Sequence, residues 1–137
     1  MISNADLAAL AQDVLQAGGS LRFTARGTSM YPFLQDGDVV ELAPAGNRPV
    51  GWSEVALVRL PSGELVLHRV YRTRWLNGVR QLLVRGDNRP GSDGWINPGD
   101  VLGRVHQAWR RGKRLSRISV QVWAWMVLAV LRSRLRF

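Results

Sequence analysis

The chain is expected to fold as a mainly β, antiparallel body with one amino-terminal helix and one carboxy-terminal hydrophobic helix. Three observations predict this. Six short apolar runs of strand length follow one another, each bounded by Gly, Pro, Asn or Asp. Ahead of them the apolar spacing is helical, and after them comes a stretch, Ile118 to Leu131, that is apolar nearly all round.

The opening segment reads as a helix because Leu7, Leu10, Val14 and Leu15 recur at helical spacing, with Asn4 to cap it and Gly18-Gly19 to stop it. Strands are expected over Leu21–Ala25, Asp38–Leu42, Glu54–Leu60, Glu64–Trp75, Val79–Arg85 and Val101–Trp109. Asn77-Gly78 is a strong hairpin signal, since a type I′ turn needs positive φ at both central positions. Pro61-Ser62-Gly63 makes a second tight connection, so the three strands from Glu54 to Arg85 form a meander. Within Glu64–Trp75 the two-residue alternation puts Val66, His68 and Val70 on one face and Leu65, Leu67 and Arg69 on the other. The loop from Gly86 to Asp100 is rich in Gly, Pro, Asn and Asp, and an ordered loop of that length is more often functional than idle. The organisation expected is a helix over 1–20, a β domain over 21–109, and a basic, apolar tail over 110–137.

At 137 residues the chain is about one domain, large enough to bury a core without metals or disulfides. It has no cysteine and only two histidines, His68 and His106. Neither a disulfide framework nor a thiolate zinc site exists, and no metal or cofactor is expected. The net charge of +9 would suggest nucleic acid, but its distribution argues otherwise. Residues 1–103 hold ten arginines and ten acids, whereas 104–137 hold eight arginines, Lys113 and no acid. The body is neutral and the tail is basic, with an apolar centre that suits anionic lipid better than a duplex. Fourteen residues as a helix cover roughly 21 Å, short of a ~30 Å hydrocarbon core. Flanking arginines can snorkel, and Trp123 and Trp125 favour interfaces. The expectation is a membrane-associated chain held through residues 115–137, either lying in the interface or spanning with tilt. The amino terminus, with Asp6 and Asp13, does not read as a secretory signal. Five positive charges precede the apolar run and three follow it, which by the positive-inside rule favours a cytoplasmic body.

Gly27-Thr28-Ser29-Met30-Tyr31-Pro32, followed by Gln35-Asp36-Gly37-Asp38, sets a small nucleophile between glycines, a proline and a turn. A serine hydroxyl attacks only when a neighbouring base takes its proton and that base is itself oriented. Lys113, the sole lysine, sits in a run of positive charge where nothing would keep it neutral. His68, on an apolar strand face, is the better base, because imidazole titrates near neutrality. Its tautomer could be held by Asp87 or by Asp93. Each residue also has a bland reading: Ser29 as a turn cap, His68 as a core histidine, the two aspartates as Asx-turn formers, and Asp38 as a structural turn residue.

Taken together, Ser29-Met30-x-Pro32 with Gly37-Asp38, then His68-Arg69-Val70, then Gly86-Asp87-Asn88 with a second aspartate six residues on, resemble three boxes of the type I signal peptidase family. The resemblance covers about residues 21–105. Many members of the wider family, which includes self-cleaving repressor peptidases, present a lysine as base, so a histidine there resembles the archaeal and endoplasmic-reticulum branch. The resemblance implies a signal-peptidase-like or repressor-peptidase-like β body and a serine endopeptidase. In it Ser29 is the nucleophile, His68 the general base and Asp93 the third member, with Asp87 shaping the loop or assisting. It also implies that the Ser29 backbone N–H forms part of an oxyanion hole. The substrate implied is a peptide or precursor protein, bound extended along a strand edge, with small side chains near the cleaved bond. Gly27-Thr28 reads closer to the repressor-type peptidases than to signal peptidases. A rival of another class is a non-catalytic peptide-binding or membrane-tethered module of the same fold.

Overall fold

The computed structural model describes residues 4–46 and 48–116. The apolar carboxy-terminal helix expected from Ile118 to Leu131 lies outside the described residues, as does all but Leu115 and Ser116 of the stretch 115–137 expected to hold a membrane. Among the described residues no helix is long and apolar enough to cross a membrane.

Among the described residues one α-helix, α1 (Asn4–Gln16), precedes eight strands: β1 (Leu21–Thr24), β2 (Val39–Ala43), β3 (Val55–Arg59), β4 (Leu65–Leu76), β5 (Val79–Arg85), β6 (Gly94–Ile96), β7 (Val101–Arg110) and β8 (Lys113–Arg114), with a 3-10 turn at Pro98–Asp100. All strand pairs are antiparallel, in the order β1-β2-β7-β3-β4-β5-β6, with β8 alongside β7. The meander β3-β4-β5 forms with its Asn77-Gly78 turn, both residues at positive φ. The late strand β7 inserts between β2 and β3 and so closes the amino-terminal half against the meander. β8 falls within the basic stretch that the sequence groups with the tail. It folds back on the end of β7, and the Leu115 N–H donates to the Ala108 C=O (2.8 Å).

The helix ends where the two glycines predict. Gly18 takes φ +82°, the Gly19 N–H donates to the Val14 C=O and the Gly18 N–H to the Leu15 C=O, which is the Schellman arrangement. Its buried face differs from the leucine stripe read in the sequence: Ala8, Ala11 and Leu15 are buried, while Leu10 is exposed. A Cβ on Gly103 of β7 would lie 2.8 Å from Leu15 Cδ1 and 2.9 Å from the Ala43 C=O, so the glycine makes the room that Leu15 fills, and Ala8, Ala11 and Leu15 pack there with Leu42, Leu57 and Leu102.

Alternation sorts the core onto the two faces of the sheet. Leu42, Leu57 and Leu102 pack with α1 on one face, whereas Ala56, Val58, Val70, Val84 and Ile96 pack on the other. A third cluster, Ala25, Met30, Leu34, Val40, Val55 and Ala108, anchors the loop between β1 and β2. Burying one such Leu or Val side chain contributes about 1.5–3 kcal/mol, so Met30 and Leu34 fix this loop strongly.

Candidate active site

The β1–β2 loop is closed at its neck. The Ala25 N–H donates to the Asp38 C=O (2.8 Å) and the Gly37 N–H to the Ala25 C=O (2.9 Å). Within it, Asp36 accepts from the Gly27 N–H (2.8 Å) and the buried Asp38 from the Gln35 N–H (2.8 Å). Arg110 straddles both Asp38 oxygens, at 3.0 and 2.9 Å, and also donates to the Phe33 C=O. Hydrogen bonding to Asp38 pushes the Arg110 guanidinium above its ordinary range. Ser29 rides on this framed loop, half-buried, directly before the anchored Met30.

His68 reaches the same place from β4, buried on the face shared with Val66 and Val70. Its Nε2 lies 3.1 Å from Ser29 Oγ, and its Nδ1 is hydrogen-bonded to Asp93 Oδ2. A carboxylate on Nδ1 fixes the proton there in the neutral ring, which turns the Nε2 lone pair toward the serine hydroxyl. Asp93 is itself positioned, since its N–H donates to the Val84 C=O of β5 (2.8 Å). Three residues from three separate segments therefore stand in one line.

Asp87 does not join them. It is buried, and its carboxylate is gripped by Arg69 (Nε to Oδ1 2.9 Å, Nη2 to Oδ2 2.8 Å) and by the Tyr71 hydroxyl (2.8 Å). A bulge between Val70 and Arg72 leaves Tyr71 without a cross-strand partner, next to Arg69 on the same strand. Burial first, and then the Asp87 charge, push the Tyr71 phenol well above its ordinary value. Arg69 also donates to the Ser53 C=O (2.8 Å) and stacks its guanidinium on Phe33 (4.6 Å). Asp87 thus ties the loop after β5 to β4, and that loop carries Asp93.

The same loop is stitched to the serine. The Asn88 N–H donates to the Ser29 C=O (2.8 Å), Asn88 Nδ2 donates to the Thr28 C=O (3.2 Å), and the Asp87 N–H meets Met30 Sδ (3.4 Å). Gly86 sits at the crux. A Cβ there would lie 2.6 Å from the Ser29 C=O, 2.9 Å from His68 Nε2 and 2.9 Å from Arg89 Cγ. Its φ is not in the left-handed region, so glycine is required for space rather than for backbone freedom. The sequence motif includes Gly86 without assigning it a role. The signal was there: a glycine directly after a strand and before Asp-Asn, where no tight hairpin demands one.

A groove of about 830 Å³ opens over Ser29 and His68, running between Phe23–Gly27 and Glu64–His68 and flanked by Arg89–Asp93. Both long walls are strand edges. β5 pairs with β4 only from Arg69 onward, which leaves Leu65–His68 without a strand on that side. The Glu64 C=O accepts from Leu60, and Val70 bonds toward Glu54 and Ser53, so the backbone groups of Leu65 and Leu67 face the groove. On β1 the bonds of Ala25 go toward Gly37 and Asp38, which turns those of Thr24 outward. His106 lies on β7 and lines a different cavity, while Lys113 is exposed on β8 and does not line this one. Among the described residues no group of His, Asp and Glu side chains is arranged to hold a metal ion.

Comparison with protein-family models and with curated proteins returns no match.

Proposed function

We propose that this chain is a serine endopeptidase of the histidine-base kind, related to the type I signal peptidases, which cleaves an extended peptide through an acyl-enzyme on Ser29. The observation that carries the reading is the line from Ser29 Oγ through His68 to Asp93, with Nε2 at 3.1 Å from the hydroxyl. His68 Nε2 takes the hydroxyl proton as Ser29 Oγ attacks the peptide carbonyl, and the Asp93 carboxylate stabilises the imidazolium that forms. Collapse of the tetrahedral intermediate breaks the C–N bond, and Nε2 returns the proton to the leaving amine. Water, deprotonated by His68 in turn, then releases the acyl group. The Ser29 N–H makes no hydrogen bond among the described residues and is the candidate donor to the oxyanion.

The open edges of β1 and β4 support a peptide rather than a compact substrate. A chain laid between them can pair with Thr24 on one side and with Leu65 and Leu67 on the other, a β-addition that needs no particular side chains. The position of Lys113 outside the groove leaves His68 as the base. The test is cleavage of a peptide panel by wild type, Ser29→Ala and His68→Ala. The expected result is a loss of kcat of about 10³-fold or more in each variant with folding retained. Activity retained in either would sink the assignment, and binding without any cleavage would favour the non-catalytic module.

A further inference from the structure

Arg89 stands at the reacting end of the groove with its charge uncommitted. Its backbone is held at both ends, the N–H donating to the Gly86 C=O (2.9 Å) and the C=O accepting from Arg85 Nε (2.6 Å). Its Cγ and His68 Nε2 each lie 2.9 Å from one point, where a Gly86 Cβ would be, so they are no further apart than twice that distance. The side chain lines the groove, and among the described residues no carboxylate pairs with it.

None of the other charged groups in the groove forms an ion pair with it. Asp93 is engaged by His68. Arg26, on the opposite rim, has only Asp36 near it, at 4.0 Å, with both side chains exposed. Glu64, just before β4, is four residues from His68, roughly 13 Å in extended chain. At the Ser29 end, then, Asp93 is turned to His68, and Arg89 is the guanidinium for which no carboxylate partner is found among the described residues.

We infer that Arg89 is a specificity-determining residue that selects an acidic side chain in the peptide, next to the bond cleaved. The position beside a cleaved bond rests on the peptidase reading, whereas recognition of the carboxylate by Arg89 needs no reaction. The Arg89 backbone is fixed and its side chain is exposed, so the guanidinium can reach a carboxylate in the groove at the ordinary cost of ordering one long side chain. Substitution leaves the two backbone hydrogen bonds in place.

The experiment measures binding by fluorescence anisotropy, using the full chain with Ser29→Ala so that nothing is consumed. The probes are fluorescein-labelled octapeptide pools in which each position in turn is fixed as Asp, Ser or Lys. At one or two adjacent positions the Asp pool is expected to bind about fivefold tighter than the Lys pool, the scale of one exposed ion pair. The ratio falls to about one with Arg89→Ala added, inverts with Arg89→Glu, and shrinks in high salt. A ratio unchanged by Arg89→Glu, or no binding by any pool, overturns the inference. Cleavage of the same pools by the chain carrying Ser29 is scored separately. Pools that bind with the acidic preference and are never cut would defeat the peptidase reading while leaving the role of Arg89 standing.

Discussion

Replacing Gly86 by alanine adds one methyl group at the point where the serine loop, the histidine and the third loop converge. The glycine φ is one that alanine can adopt, so the perturbation is steric alone. An ordinary van der Waals contact of a Cβ begins at 3.4 Å, and the new methyl would meet the Ser29 C=O at 2.6 Å and His68 Nε2 at 2.9 Å. The carbonyl must retreat by 3.4 minus 2.6, or 0.8 Å, and the ring by 3.4 minus 2.9, or 0.5 Å. The carbonyl cannot move freely, because Asn88 holds it and Met30 is anchored beside it. Overpacking of this kind costs about 1–3 kcal/mol, while displacing reacting groups by the better part of an ångström costs about 10²-fold in rate. The assay pairs kcat/KM on a cleaved peptide with a urea melt of the same sample. Gly86→Ala is expected to stay folded and lose about two orders of magnitude in kcat/KM. Wild-type turnover in a folded Gly86→Ala protein would refute the claim that these three segments are packed to bring Ser29 and His68 together.

The two aspartates should separate cleanly. Asp87→Asn strips the charge from a buried ion pair and is expected to cost about 3–5 kcal/mol in chemical denaturation, because Arg69 remains buried without its counter-charge. Asp93→Asn, whose side chain is partly exposed, should leave the melt near wild type and lower kcat by up to ~10⁴-fold. Tyr71 gives the pH prediction. Its folded pKa is raised above 10.0 by burial and by Asp87, so the stability it contributes is fully present below pH 10 and is lost as pH rises toward the folded value. The urea midpoint should therefore fall above pH 10 in wild type and fall less steeply in Tyr71→Phe, which starts about 1 kcal/mol lower for want of the hydrogen bond to Asp87.

Much of this architecture was legible in local pattern. Alternation and turn residues placed the six main strands within a residue or so of where they form, and Asn77-Gly78 marked its hairpin because positive φ at two positions has few other solutions. The alternation in β4 likewise put His68 on the face with Val66 and Val70. What was not legible depended on partners distant in sequence. β6 and β8 are three and two residues long and exist only because β5 and β7 are there to pair with. The buried face of α1 depends on its sheet neighbours, among them Gly103, which leaves the space that Leu15 fills. Composition placed Arg110 in a basic tail, whereas its side chain closes the loop that carries Ser29 through Asp38. Asp87 and Asp93 looked equivalent as carboxylates in one loop, and only the bulge at Tyr71, with Arg69 beside it, commits Asp87 elsewhere.

The central claim, that His68 activates Ser29 for attack, is tested most directly by labelling with a fluorophosphonate and locating the adduct by peptide mass spectrometry. The account predicts a single adduct on Ser29 in the wild-type chain, formed at least about 10²-fold more slowly in His68→Ala. No adduct on Ser29, or one that forms equally fast without the histidine, would contradict it.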